Sequence, residues 1–240
     1  VVTDVHGNLT ALETIVADIR RRAVDRVVHG GDLVLMGPRP AEVIDRIREL
    51  GWQGVLGNTD ELLWRPEQQQ RQRDRAPRLR TLLRWLFEAY APDTRERIGE
   101  ERLAWLRELP VELRIEDITV VHAGPGELWR APMPDADDEE LEAVYGPLRS
   151  GTVLYGHIHR PFTRTVRAMV IANAGSAGMP WDGDHRASYL LVDDGQVEVI
   201  RVAYDIDAEA HELLARAHPD AERLIKMRRL GRFVSPNPFP

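Results

Sequence analysis

VVTDVHGNLTALETIVADIRRRAVDRVVHGGD, residues 1–32, decides the fold. A β-branched stub, Val1–Thr3, precedes Thr10-Ala-Leu-Glu13, which reads as a capping box with Thr10 as N-cap and Glu13 at N3. Leu12, Ile15, Val16 and Ile19 then recur at helical spacing, and Arg26-Val-Val-His29 reads as a short strand. The alternation continues beyond it. Pro40 suits a helix first turn, Val43, Ile44, Ile47 and Leu50 share a face, and Gly51 suits the stop. Gln53–Leu56 returns to strand. This β-α-β-α-β order predicts parallel strands joined by crossover helices, an α/β class.

From Asp60 to Pro110 the character changes, and a helical insertion is expected over 61–110. Gln68–Arg80 is polar and basic and reads as a solvated helix face or mobile segment. Leu82–Tyr90 and Glu101–Leu109 look helical, with Trp85 and Trp105 as core anchors. The second half is mostly strands: Glu112–Ile115 and Ile118–Val121 as a hairpin, then Thr152–Tyr155, Phe162–Val166, Met169–Ala172, Ser188–Val192 and Val197–Ala203. Pro132–Leu148 reads as loop plus a short acidic helix. Ala208–Arg229 is helical with a break at Pro219, and Ser235–Pro240 reads as an extended tail. With no linker in view, 1–240 reads as one domain.

Composition excludes several classes. There is no cysteine, so disulfides, thiolate metal sites and cysteine nucleophiles are out. The 32 basic residues against 39 acidic ones argue against a nucleic-acid binder. No apolar run approaches the ~18–20 residues of a membrane span. The chain opens inside a strand without Met, so residues before Val1 are expected. With no targeting segment in view, the expected location is cytoplasmic.

Polar residues of metal-binding type stand at the C-terminal ends of five apolar strand patterns: Asp4 and His6, Asp32, Asn58, His122, and His157 with His159. In open α/β sheets, sites lie outside the carboxyl ends of strands. Asp4 and His6 are two apart, as are His157 and His159; in extended chain such pairs point to one side. Gly30, Gly31, Gly57 and Gly156 allow sharp turns and close approach. Seven side chains exceed one tetrahedral site and suggest two divalent ions, with an Asp able to bridge them. Imidazole, carboxylate and amide ligation suits Mn²⁺, Fe, Zn²⁺, Ni²⁺ or Co²⁺. Two such cations about 3.5–4 Å apart can hold a bridging water, lower its pKa toward ~7 and grip the oxygens of a displacement at phosphorus.

D-x-H (Asp4, His6), G-D (Gly31, Asp32), G-N-x-D (Gly57, Asn58, Asp60), a strand-end His (His122) and G-H-x-H (Gly156, His157, His159) stand in the order that resembles the calcineurin-like metallophosphoesterase superfamily. None of the five is specific alone; all five in order are. GDLVLMGPRPAEVI (31–44) and NAGSAGMPWDGDHRASYLLVD (173–193) look like its small prokaryotic branch. The resemblance covers nearly the whole chain. It implies a four-layer sandwich of two mixed β-sheets flanked by helices, with the ligands on loops at one edge. It also implies Asp4, His6 and His159 on one metal, Asn58, His122 and His157 on a second, Asp32 bridging, and Mn²⁺ as first choice.

One departure matters. Many relatives carry G-N-H-D/E, with that His protonating the leaving group; here the position is Thr59. A general acid is worth roughly 10²–10⁴-fold, so its loss favours good leaving groups, and the pattern resembles the G-N-C-D branch associated with phosphodiesters. Asp60 reads as an orienter of ligands. His29 reads as a buried or supporting residue, with substrate contact second. Asn8 reads as a turn or cap residue before substrate contact. Ser176 in NAGSAG could help receive a phosphate or turn the chain back. Arg160 and Arg186 are candidate phosphate clamps. His185, His211 and His218 read as ordinary packing or surface residues.

The leading expectation is a metal-dependent phosphoesterase acting on a small phosphodiester, phosphomonoester or nucleotide polyphosphate. The alternatives are a serine/threonine protein phosphatase, against which the absent His argues, and a non-catalytic scaffold like the superfamily's retromer member, against which the seven intact positions argue. A nuclease lacks its basic strip.

Overall fold

The computed structural model describes residues 1–236. The N-terminal segment bridges into a βα alternation: α1 (Leu9–Arg21), β1 (Val28–His29), α2 (Pro40–Glu49) and β2 (Gln53–Gly54). Helix α1 buries Ala11, Leu12, Ile15, Val16 and Ile19, the stripe its spacing predicts. Its cap differs from expectation. Asn8, not Thr10, is the N-cap: its Oδ1 accepts from the Ala11 N–H at 2.9 Å. The same side chain gives its Nδ2–H to the Gly178 carbonyl. Asn is among the best N-caps and here has both ends satisfied, so the helix begins before Thr10, whose hydroxyl donates to Glu209 instead.

Apart from turns at 62–67, the insertion is helical: α3 (Asn58–Glu61), α4 (Gln68–Arg75), a 3₁₀ turn at Pro77–Leu79, α5 (Arg80–Arg84), a π turn at Trp85–Tyr90, and α6 (Ala91–Arg107). Gly99 breaks α6 with φ 71° and ψ 172°. The solvated face expected at Gln68–Arg80 is only partly so, because Gln68 and Gln72 are buried. Beyond it come β3 (Glu112–Ile115), β4 (Ile118–Val121), α7 (Asp138–Tyr145), β5 (Thr152–Tyr155), β6 (Phe162–Val166), β7 (Met169–Asn173), β8 (Ala187–Asp193), β9 (Gln196–Val202), α8 (Ile206–Ala215) and α9 (Ala221–Leu230). The break expected at Pro219 falls between the last two. Of the tail expected at Ser235–Pro240, residues 237–240 lie outside the described residues.

One sheet has five strands in the order β3-β4-β5-β7-β6, with β4, β5 and β7 parallel and the edge strands antiparallel. The other is pieced from two short ladders, parallel β1–β2 and antiparallel β8–β9. Val1 and Leu190 exchange two backbone hydrogen bonds, and Val2 bridges to His29, so the N-terminal segment ties these ladders together. Three apolar clusters separate four layers. Leu12, Ile44, Leu213 and Met227 pack helices on the sheet of the β1–β2 and β8–β9 ladders, against Tyr189 and Ile200. Val28 and Leu190 meet Val120, Leu154 and Ala172 between the sheets. Val153 and Ile171 meet Leu141 and Tyr145 of α7 on the outer face. Burial on both faces accounts for the nearly unbroken apolar runs of β4 and β5. No helix among the described residues is long and apolar enough to cross a membrane.

Candidate metal centre

All five strand ends open at one edge of the sandwich. Asp4 and His6 follow the Val2 bridge, Asp32 follows β1, Asn58 opens α3 just beyond β2, His122 ends β4, and His157 and His159 leave β5. The paired residues are not extended, as the i, i+2 reading supposed. Asp4, His6, Asp32, His157 and His159 all have φ between 51° and 67°. Such left-handed backbone costs roughly 1–2 kcal/mol per non-glycine residue. Neighbouring loops hold it: Asp4 N–H donates to the Gly31 carbonyl, His6 N–H to Asp32 and Gly7 N–H to Leu33, at 2.8–3.0 Å. Two glycines are forced by proximity. A Cβ on Gly57 would stand 2.1 Å from Asp32 Oδ1, and one on Gly156 would stand 2.3 Å from Asp4 Oδ2.

The side chains form two groups that meet at Asp32. In the first, His6 Nε2 and His159 Nε2 are 3.1 Å apart. Asp4 Oδ1 lies 3.2 Å from His159 Nε2 and 3.9 Å from His6 Nε2. Asp4 Oδ2 is turned away, accepting from Thr3 Oγ1–H and the His157 N–H. In the second group, Asn58 Oδ1 lies 2.9 Å from both His122 Nε2 and His157 Nδ1. Asp32 divides between them: Oδ2 is 3.7 Å from His6 Nε2, and Oδ1 is 3.5 Å from His122 Nε2.

The donor chemistry fits divalent cations. His6 Nδ1 gives its hydrogen to the Leu35 carbonyl, His122 Nδ1 to Gly30, and His159 Nδ1 to Met179. A carbonyl only accepts, so in each neutral ring the proton sits on Nδ1 and Nε2 carries a lone pair. Lone pairs of His6 and His159 therefore face one another, and that of His122 faces the Asn58 oxygen. Such an array is repulsive unless a positive charge lies inside it. Protons do not supply that charge at His6, because burial and then His159 hold its pKa well below the ordinary value. Burial and then His122 likewise lower His157 to about 3. Asp32 is pushed up to about 8, by burial first and by the Asp4 carboxylate second. Asp4 is the ionised member of that pair: burial, the largest single influence, opposes its charge, but His159, His122 and His6 together hold it below the usual carboxylate range.

The remaining candidates divide cleanly. Both Asp60 oxygens accept from the Leu33 N–H, and Oδ1 also from Val34, so Asp60 fixes the loop just after Asp32. Burial, then Asp32, raises its pKa to about 7. Thr59 donates its N–H to Asp32 Oδ1 at 2.9 Å; the residue borders the cleft, and its buried hydroxyl has no hydrogen-bond partner. Arg160 also lines the cleft. Four candidates do not. His29 is buried beside Trp105, away from the cleft, with its pKa lowered by burial to about 4. Asn8 is occupied as the α1 cap. Ser176 donates to the Asp4 carbonyl and accepts from Met179 N–H, supporting the backbone beneath Asp4. Arg186 is paired with Asp184.

His6, Asp32, Asn58, His157 and His159 form the floor of a cleft of about 890 Å³. Sequence reading missed most of its walls. Trp181 stacks on His159 with ring centroids 3.9 Å apart. Arg78, Arg130, Trp129 and Met133 also line it. Trp181 sits in the quoted segment 173–193 and was within reach; the others lie in segments whose packing no local pattern specifies.

The calcineurin-like phosphoesterase superfamily domain matches residues 1–195. An uncharacterized protein of Methanocaldococcus jannaschii, MJ0912, is 29% identical over 253 residues, spanning 93% of this chain and 96% of that protein. A solved metallophosphoesterase from Sphaerobacter thermophilus is similar with TM-score 0.76 and 25% identity, covering 96% of this chain and 98% of its own. Hypothetical protein PH1004 from Pyrococcus horikoshii OT3 shares the fold with TM-score 0.78 and 22% identity, covering 97% of this chain and 98% of its own.

Proposed function

The chain belongs to the calcineurin-like phosphoesterase superfamily, and from that premise we propose that it hydrolyses phosphodiester or phosphomonoester bonds of small substrates with the help of two divalent metal ions. The meeting of two donor groups across the two oxygens of Asp32 carries this reading. Asp4 Oδ1 with His6 and His159 Nε2 would hold one ion. Asn58 Oδ1, His122 Nε2 and His157 Nδ1 would hold the other, and Asp32 would give one oxygen to each. When bound, such a pair neutralises phosphoryl oxygens and acidifies water toward a pKa of ~7. The mixed oxygen and imidazole donors suit Mn²⁺, our first choice, and equally Fe, Zn²⁺, Ni²⁺ or Co²⁺.

The chain's own groups set the rest. Asp60 keeps the loop after Asp32 in register, so the shared carboxylate stays aimed. Trp181 covers the His159 ring and keeps water from that side. The imidazoles that line the cleft are His6, His157 and His159, all within the donor groups. None is free to protonate a leaving group, and Thr59 occupies the place where an acid is expected. Esters with acidic alcohols, diesters above all, are therefore the favoured class, in a cytoplasmic setting. Chelator-treated protein should not hydrolyse bis-4-nitrophenyl phosphate, and Mn²⁺ should restore turnover. Asp32→Ala should lower kcat/KM on the order of 10³-fold by removing the shared charge. Full activity in metal-stripped protein would disprove the reading.

A further inference from the structure

The walls of the cleft differ in kind from its floor. Leu79, Leu82, Leu83 and Leu86 line it at i, i+3, i+4 and i+7, a single helical stripe running from the 3₁₀ turn through α5 into the π turn. Such a stripe normally meets core; here it also faces the cavity. Met133, from the loop after β4, and Phe233, beyond α9, add to the walls. Leu79, Met133 and Phe233 are 39%, 38% and 37% exposed, and they are three of the large apolar side chains that the described residues leave open to solvent. The cleft thus has an apolar mouth as well as an apolar interior. Its charge is one-sided. Asp32 on the floor is its only carboxylate among the described residues, whereas Arg78, Arg130 and Arg160 line it with side chains that make no ion pair or hydrogen bond there. Arg75 and Arg223, also on the lining, are already engaged by Glu127 and Asp220.

We propose that the substrate is an anionic amphiphile: a phosphoester whose phosphate sits on the floor near the free arginines and whose long apolar chain lies along the Leu79–Leu86 stripe toward the mouth. This rests on the proposed phosphoesterase activity and names its substrate class. A cavity of about 890 Å³ is far larger than a phosphate needs and lies within the range of sites that enclose a whole ligand. Trp129 and Trp181 could face a base, but the Leu79, Leu82, Leu83 and Leu86 stripe with Met133 gives its polar edges no partner along most of the wall, whereas an aliphatic chain matches that stripe. Loss of water from each buried methylene tightens binding by about fourfold.

The test uses the metal-loaded protein and two homologous series, ethyl to decyl. In the first, n-alkyl 4-nitrophenyl phosphodiesters are hydrolysed: water adds to phosphorus, the aryl P–O bond breaks, and 4-nitrophenolate, alkyl phosphate and protons are released. In the second, n-alkyl phosphonates, which cannot be hydrolysed, report dissociation constants by tryptophan fluorescence. We expect both kcat/KM and phosphonate affinity to rise about two- to fourfold per methylene until the cleft is full. Leu82→Gln and Met133→Gln should flatten that dependence, while Leu214→Gln, exposed on α8 and outside the cleft, should keep it. Arg160→Gln should weaken all phosphonates by a similar factor. Turnover without chain-length dependence, or a faster reaction of thymidine 4-nitrophenyl phosphate than of the decyl ester, would overturn the amphiphile proposal and leave the phosphoesterase reading standing. Chain-dependent phosphonate binding with no hydrolysis of any ester would do the reverse.

Discussion

Asp32 concentrates the residue-scale physics. Its carboxyl is buried, faces the charge of Asp4, and is pushed up to about 8, while Asp60 behind it is raised to about 7. In metal-free protein both therefore keep protons in the folded state that the unfolded chain releases in the ordinary carboxylate range. Below about pH 6.5 that excess is offset by His6, His29 and His157, which are neutral when folded and take up protons on unfolding; from there to about pH 8 the folded state binds more protons, so its stability falls as pH rises through that upper window. Thermal melts of chelator-treated protein should show Tm declining across it; a level or rising Tm would contradict these assignments. Thr59 makes the second prediction. With its hydroxyl unpartnered at the cleft wall, Thr59→His should raise monoester relative to diester hydrolysis, up to the roughly 10²–10⁴-fold scale of a general acid. An unchanged ratio in a folded, metal-loaded variant would mean that this position does not reach the leaving group. The residue types at the site were legible because few patterns place Asp, Asn and His after five separate strands. Their backbone was not: Asp4-x-His6 looks like alternation along a strand, and the left-handed φ values come from loop-to-loop bonds such as Asp4 to Gly31 that only the folded chain supplies.

At the scale of elements, the strands of the second half were readable nearly to the residue, since hairpin turns such as Glu116-Asp117 and Asp193-Asp194-Gly195 punctuate them. Strands β1 and β2 are shorter than their apolar runs, because the chain leaves pairing early to enter the site loops. The insertion was legible as helical but not as a wall. Leu82, Leu83 and Leu86 give the same stripe whether it faces core or cavity, and the polar run of α4 hides the burial of Gln68 and Gln72. Gly99 belongs to this scale. Its φ of 71° with ψ of 172° lies in a region open essentially to glycine, and an added Cβ would meet nothing within 4 Å. Gly99→Ala should therefore cost about 1–3 kcal/mol through backbone strain alone. Denaturant melts should show the loss with unaltered kcat/KM; a variant as stable as the parent would mean the break in α6 moves elsewhere at no cost.

Across the whole molecule, side chains from residue 4 to residue 159 converge on one edge because three apolar clusters stack two sheets and their helices in fixed relation. The layers followed from alternation of strand and helix together with the family resemblance. The ladders tied through Val1 and Val2 did not, since a two-residue strand leaves almost no periodic signal. The convergence has a consequence for ion uptake. Carbonyls of Leu35, Gly30 and Met179 have already chosen where three rings keep their hydrogens, and His6 and His157 are neutral well below pH 7. Loading near neutrality should then displace about one or two protons from the Asp32 and Asp60 carboxyls and none from His6 or His157. Calorimetric titration with Mn²⁺ in two buffers of unlike ionisation heat would count them, and a release of three or more would mean the imidazoles start out charged. The centre is thus tuned so that its acidity changes at a carboxylate, leaving the His6 and His157 rings as silent furniture.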